Sequence, residues 1–258
     1  MVRVEHVMGT VISLDLRDHE IPAGAVDAAF LWFHEVDGRF STYKNDSEVN
    51  QVNRGEVRTA DCSNDMREVL GLCDTIHEES AGAFDVRAAS AGLDPSAVVK
   101  GWSVDRAAAL LELAGARNFC LNAGGDVVTR GEPSSGRAWR VGIRHPDEAD
   151  KVAVVITATN CAVATSGAYE RGHHIIDPRT GRPASGVVSM TVVGPTLARA
   201  DAYSTAAYVM GRAGVAWVLE HSGYDAYAIT SDQRAVFTPG FALLLTSATV
   251  DSDNESSA

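Results

Sequence analysis

The sequence predicts an α+β fold of mixed, mainly antiparallel sheets with packed helices, on three observations. Helical stripes and β-rich runs are interspersed without the regular strand–helix repeat of a doubly wound sheet. The β runs are short, and Gly124-Gly125 breaks one from the next. At 258 residues, 45% hydrophobic and 22% charged, the chain can bury a substantial core.

Taken in order, Val7 to Leu16 alternates and reads as a strand. Val26, Ala29, Phe30, Phe33 and Val36 form a helical stripe over residues 22–37 that Gly38 is expected to end. Phe40 to Ser47 is a polar loop. Met66, Val69, Leu70, Cys73 and Ile76 share one face of a helix over 65–79. The next helix is expected to start at Ser103 as N-cap, with Asp105 in its first turn and Gly115 as its stop. Strands follow around Phe119–Leu121, Val127-Val128, Trp139–Ile143, Val152–Thr157 and Val187–Val193. Helices over 200–210 and 213–221 and strands over 226–230 and 235–237 complete the pattern. The expectation is one domain over residues 1–250, with room for two lobes, and a frayed polar tail over 251–258.

A net charge of −12 argues against binding a nucleic-acid backbone, which rests on Lys and Arg neutralising phosphates. No apolar run reaches the roughly 18 to 20 residues of a membrane span. The opening Met1 to His6 has no apolar leader core, so the expectation is a cytoplasmic protein without a membrane anchor. Cys62, Cys73, Cys120 and Cys161 form no C-x-x-C pair and read as reduced thiols rather than zinc ligands.

The segment His173-His174-Ile-Ile-Asp177-Pro-Arg179-Thr-Gly181-Arg-Pro183 is the hardest to explain by packing alone. Asp-Pro opening toward Gly is sound turn chemistry. The added histidines and arginines leave the segment open between a site and a decorated turn. Asp201 and Thr205, four apart on a predicted helix, fit a hard cation or, equally, a capping Asp with a Thr bonded back to a carbonyl. Lys100-Gly101 reads either as a phosphate contact or as a surface Lys at a helix entry. Gly124-Gly125-Asp126 lacks the third glycine of a dinucleotide fingerprint. In Gly82-Ala83-Phe84-Asp85 the phenyl ring reads first as core, and Tyr43 as an aromatic without a core role. His19, His34, His77 and His221 read as surface or helix residues.

In order, these pieces resemble the ApbE family of flavin transferases. The matching motifs are His6-Val-Met8-Gly9-Thr10, Phe40-Ser-Thr-Tyr43 through Ser47-Glu48, and Gly82-Ala83-Phe84-Asp85. Asp94 through Lys100-Gly101-Trp102-Ser103-Val-Asp105 follows, then Asn122-Ala-Gly124-Gly125-Asp126 and Thr165-Ser166-Gly167. His174 through Pro183 and Ala200-Asp201 through Thr205 complete the series, which spans residues 6 to about 211. Trp102 stands where the family more often has Tyr. Many members are exported lipoproteins, a feature this sequence does not display.

The resemblance implies a T-fold-like architecture and an enzyme that uses Mg²⁺ to move the FMN half of FAD to a threonine hydroxyl. The acceptor is a protein with an Asp-x-x-Ser/Thr-Gly/Ala-Thr site, a phosphoester forms, and AMP leaves. It implies that Asp201 and Thr205 ligate Mg²⁺ with a backbone carbonyl near Ala97. Met8, Tyr43, Ala83, Phe84, Asp85, Asp94, Lys100 and Ile176 would line the FAD site, and His174 would accept the threonine proton. Two other readings stand beside it: a Mg²⁺-dependent FAD pyrophosphatase giving FMN and AMP, and a non-catalytic FAD-binding protein.

Overall fold

The computed structural model describes residues 1–22, 24–88, 92–148, 150–167 and 175–246. His173, His174 and the 251–258 tail, all singled out above, lie outside the described residues.

The chain opens with a hairpin, β1 (Val2–Val7) and β2 (Thr10–Leu16). The strand expected from Val7 is thus interrupted, because Met8 (φ 56°) and Gly9 (φ 68°) make a two-residue turn whose left-handed backbone suits the twist of paired strands. Then come α1 (Ala25–Phe40), α2 (Glu48–Asn53), a 3₁₀ turn at Thr59–Asp61, α3 (Asn64–Glu79) and α4 (Ser96–Leu113). Strands β3 (Phe119–Ala123), β4 (Asp126–Arg130), β5 (Trp139–Arg144), β6 (Val152–Ala158) and β7 (Ala162–Gly167) follow. After them come β8 (Ile176–Asp177), β9 (Arg182–Pro183), β10 (Val187–Gly194), α5 (Leu197–Met210) and α6 (Arg212–Leu219). The described chain ends with β11 (Asp225–Thr230), β12 (Ala235–Phe237) and α7 (Pro239–Leu244).

Among the described residues one eight-stranded sheet runs β1-β2-β3-β4-β7-β10-β11-β12, and β5–β6 and β8–β9 are separate hairpins. Among the described residues every strand pairing is antiparallel, in line with the expectation of mainly antiparallel sheets. One face of the sheet carries the larger core, in which Ile12, Leu14, Leu121, Met190 and Val192 meet the helices. Part of the other face is roofed by the β5–β6 hairpin and α7, through Trp139, Ile156, Val163, Tyr227 and Phe241. Among the described residues no helix is long and apolar enough to cross a membrane.

Two expectations fail for physical reasons. Helix α1 runs through Gly38 to Phe40, because Phe40 is buried and packs on Trp102 with ring centroids 5.6 Å apart. Helix α4 starts at Ser96, so Ser103 is a buried interior residue and not an N-cap. Its hydroxyl donates to the Lys100 carbonyl at 2.7 Å, a back-bond that lets Ser sit inside a helix. Lys100-Gly101 therefore lies within the helix rather than ahead of it. Further along, α5 is buried on nearly all sides, with Ala200, Ala202, Ala206 and Ala207 letting neighbours approach closely.

The cysteines are free, as expected. Burial pushes the Cys73 thiol up to about 12 and Cys120 up to about 11, which keeps both unreactive at neutral pH.

Candidate active site

The site begins where α4 crosses α5. A Cβ on Gly101 would stand 2.4 Å from the Leu197 carbonyl oxygen, so glycine is what lets the two backbones meet. One turn on, the Asp105 carboxylate accepts from the N–H groups of Leu197 (2.9 Å) and Ala198 (2.8 Å). It thus caps α5 from a neighbouring helix, matching its negative charge to the helix N-terminus. In the other direction Lys100 reaches Asp201, so increasing numbers on α4 meet decreasing numbers on α5. Continuing in that sense brings Ala97 toward the Asp201 end of the crossing.

Burial pushes the Asp105 carboxyl above its ordinary value, against the opposing pull of the Ala198 and Leu197 N–H groups. The folded state then holds that proton more tightly than the unfolded chain. The group's contribution to stability is fully present below the ordinary carboxylate value and falls as pH rises through the raised one. The Tm of the wild type, measured against Asp105→Asn, is expected to decline across that window as pH increases. A gap that widened in the wild type's favour toward neutral pH would show instead that α5 holds the carboxylate low.

At the crossing, Lys100 Nζ lies 2.5 Å from Asp126 Oδ2 and 3.6 Å from Asp201 Oδ2. Both carboxylates are buried, with their side chains 3% and 7% exposed. Asp126 arrives from the β3–β4 turn, where Gly124 (φ 62°) and Gly125 (φ 100°) carry the chain and the Asn122 side chain accepts the Gly125 N–H at 2.8 Å. Four residues after Asp201, the Thr205 hydroxyl donates to the Asp201 carbonyl at 3.2 Å. Ser166, near the end of β7, has its hydroxyl 3.1 Å from that of Thr205 and 2.8 Å from that of Ser204.

Half of the structural alternative for Asp201 and Thr205 is therefore present, since Thr205 does bond back to a helix carbonyl. Asp201, however, is mid-helix and no cap. With its proton spent on a carbonyl, the Thr205 oxygen keeps lone pairs for a cation. Among the described residues no three His, Cys, Asp or Glu gather as a metal-binding group. A cation held here would rely on mixed carboxylate, hydroxyl and carbonyl oxygens, the hard-donor set that suits Mg²⁺.

The other expected residues lie on several different elements. Met8 is drawn in by Ser103, whose hydroxyl lies 3.6 Å from its sulfur. Ala83 and Phe84 are buried, Phe84 in the main core, so Asp85 is the accessible polar group of their loop. That loop is fixed by His77, whose ring Nδ1 lies 2.9 Å from the Phe84 carbonyl oxygen, and by Ser80, whose hydroxyl accepts the Phe84 N–H. Asp94 accepts the Ser96 N–H at 3.1 Å at the entry to α4. The Tyr43 ring is 94% exposed on the loop after α1, and Ile176 is 42% exposed at the start of β8. A Cβ on Gly82 would stand 3.8 Å from Arg179 Cγ, which places the β8–β9 turn against the 82–85 loop. The Asp177 carboxylate is engaged by Arg179, one oxygen by Nε at 2.9 Å and the other by Nη2 at 3.1 Å.

Several residues that build the site carry no local sequence signal of their role. Ser166 and Asp126 lay in matched motifs but carry local signals of only a strand end and a turn. Asp105 signalled a helix start and instead caps a different helix. Glu79 accepts from the Tyr203 hydroxyl at 2.8 Å and from Arg199, and its carbonyl accepts the Trp217 indole N–H. His221, read as a surface or helix residue, stacks on Tyr203 with centroids 4.5 Å apart, and burial pushes that phenol up to about 12. This cluster ties the end of α3, just before the 82–85 loop, onto α5.

The family model described as ApbE family matches residues 8–91 and 86–228. A protein of Escherichia coli K12 named FAD:protein FMN transferase is 35% identical over 150 residues, covering 54% of this chain and 43% of that protein. The chain thus spans less than half the length of that relative. A Treponema pallidum protein of the same name is 36% identical over 202 residues, covering 68% of this chain and 56% of its own length. One from Haemophilus influenzae is 28% identical over 268 residues and covers 79% and 78%. Among solved structures, the flavin transferase ApbE from Vibrio cholerae superposes with a TM-score of 0.84 at 23% identity, covering 95% of this chain and 99% of that one. The ApbE protein from Thermotoga maritima gives a TM-score of 0.81 at 22% identity, covering 96% and 99%. At these identities the structural likeness speaks to the fold.

Proposed function

The chain belongs to the ApbE family, and from that premise we propose that it transfers the FMN half of FAD to a threonine hydroxyl of an acceptor protein, with AMP as leaving group. The observation that carries the reading is the junction of Lys100, Asp201 and Thr205. An ammonium lies 3.6 Å from a buried carboxylate, one helical turn from a hydroxyl with free lone pairs. That combination suits a pyrophosphate and its counter-cation better than it suits packing.

Asp201 and Thr205, with a carbonyl near Ala97, would hold Mg²⁺. Bound there, the ion would neutralise charge on the phosphate oxygens as the transition state forms. Lys100 adds a point charge on the same side. Ser166 and the Asp201 carbonyl fix the rotation of the Thr205 hydroxyl. The threonine oxygen of the acceptor forms a bond to the phosphorus on the FMN side, and the bond from that phosphorus to the bridging oxygen breaks. AMP leaves with the bridging oxygen. The threonine proton goes to His174, the base in this reading, imidazole being the side chain best suited to general-base work at neutral pH. Met8, Tyr43, Asp85, Asp94 and Ile176 form the flavin-nucleotide surface, with Ala83 and Phe84 shaping the loop that presents Asp85. The exposure of Tyr43 and Ile176 supports their part in it.

The test is incubation with FAD, Mg²⁺ and a small protein bearing an Asp-x-x-Ser/Thr-Gly/Ala-Thr site, read by intact mass. An FMN adduct with stoichiometric AMP is expected. AMP without an adduct would point to hydrolysis, and neither product would leave only flavin binding. In the same assay His174→Ala should slow transfer at saturating FAD by roughly 10²–10⁴-fold with little change in FAD affinity. A large loss of affinity with unchanged turnover would make His174 a binding residue.

A further inference from the structure

Lys100 has two buried carboxylates within ion-pair distance, and the metal reading uses only one of them. Asp126 is the nearer, 2.5 Å against 3.6 Å for Asp201. It is also firmly held. Its other oxygen accepts the Thr165 N–H at 3.1 Å, and the turn that delivers it is pressed against the β1–β2 turn. A Cβ on Gly124 would lie 2.3 Å from Thr10 Oγ1. On the lysine side, α4 is locked at Gly101 and Asp105. The backbones that carry the two partners are thus fixed, and what remains adjustable is the lysine side chain, 31% exposed.

We infer that Asp126 is a positioning residue that holds the Lys100 ammonium off Asp201 and so keeps the Asp201 carboxylate available to a divalent cation. The inference rests on the metal reading above. In a buried, low-dielectric setting an ammonium and a carboxylate at contact attract strongly, and the attraction weakens with distance. With Asp126 neutral, the ammonium loses the nearer of the two carboxylates, and Asp201 draws it across the remaining gap. A cation must then displace a buried ion pair before it can bind.

The test is a double-mutant cycle on the full chain, titrating Mg²⁺ without FAD and following heat or Tm. Asp126→Asn, which retains an oxygen for the Thr165 N–H, should weaken Mg²⁺ binding about tenfold. In a Lys100→Met background the same substitution should change affinity by no more than about twofold, because Asp126 acts through the lysine. Equal losses in both backgrounds would overturn the inference, since Asp126 would then act on the cation by its own charge. Unchanged affinity in the single variant would also overturn it. Asp126→Ser replaces Asp126→Asn in the cycle if the latter does not fold. Asp201→Ala, titrated alongside, separates the two levels. If it binds Mg²⁺ as well as the wild type, the metal reading fails and this inference with it.

Discussion

Asp201→Ala is expected to reduce Mg²⁺-dependent FMN transfer by about 10³-fold or more while part of the FAD affinity survives. The carboxylate is the one anionic ligand in the proposed set, and Thr205 and a backbone carbonyl are neutral donors that hold a divalent ion weakly on their own. Removing it leaves the Lys100–Asp126 ion pair in place, so the ammonium persists near the phosphates and sustains some ground-state binding. Two measurements check this: transfer by intact mass across a Mg²⁺ titration, and FAD affinity by fluorescence quenching. Full activity at ordinary Mg²⁺ would remove Asp201 from the metal site. Loss of FAD binding in step with turnover would mean that it positions the nucleotide instead.

What the sequence made legible follows from how local each signal is. The helical stripes of α1 and α3 and the alternation of β3 are written in consecutive side chains, and the structure has them close to where periodicity puts them. Helix α5 was legible in outline only, because a helix buried on nearly all sides has no polar face to mark its period. The start of α4 is not legible locally, because a Ser whose hydroxyl bonds back to the Lys100 carbonyl looks in sequence like an N-cap. The same limit governs the site. Asp201 and Thr205 are four apart on one helix, so their pairing is readable from spacing. The link from Asp126 to Lys100 joins a hairpin turn to a helix and is a product of the fold, as is the cap that Asp105 supplies to α5 across 92 residues of chain. Resemblance to a family recovered both motifs without revealing what either does.

These tertiary links converge on the α4–α5 crossing, which carries both the stability and the chemistry. Gly101 is its closest point, and substitution there is expected to be costly. An alanine Cβ would meet Leu197 O at 2.4 Å, Leu197 C at 2.6 Å and Ala198 Cα at 2.8 Å. All three are backbone atoms, so no side chain can swing aside and the helices must part. Overpacking of this kind costs about 2–3 kcal/mol, a drop in Tm of roughly 5–10 °C for a chain of this size. Because Lys100 is the adjacent residue and Asp201 lies one turn beyond Leu197, parting the helices also moves the ammonium relative to the carboxylate. Transfer by the folded fraction should therefore fall as well. Gly38→Ala is the matched control: it lies on the exposed side of α1 with nothing within 4 Å of an added Cβ. There the change should stabilise by about 0.5–1 kcal/mol, since alanine favours the helix that glycine tolerates. Thermal melts of both variants and transfer assays at a temperature below both transitions decide the matter. A Gly101→Ala protein as stable as the wild type would mean that the crossing has slack, and with it that the spacing between Lys100 and Asp201 is not set by this contact.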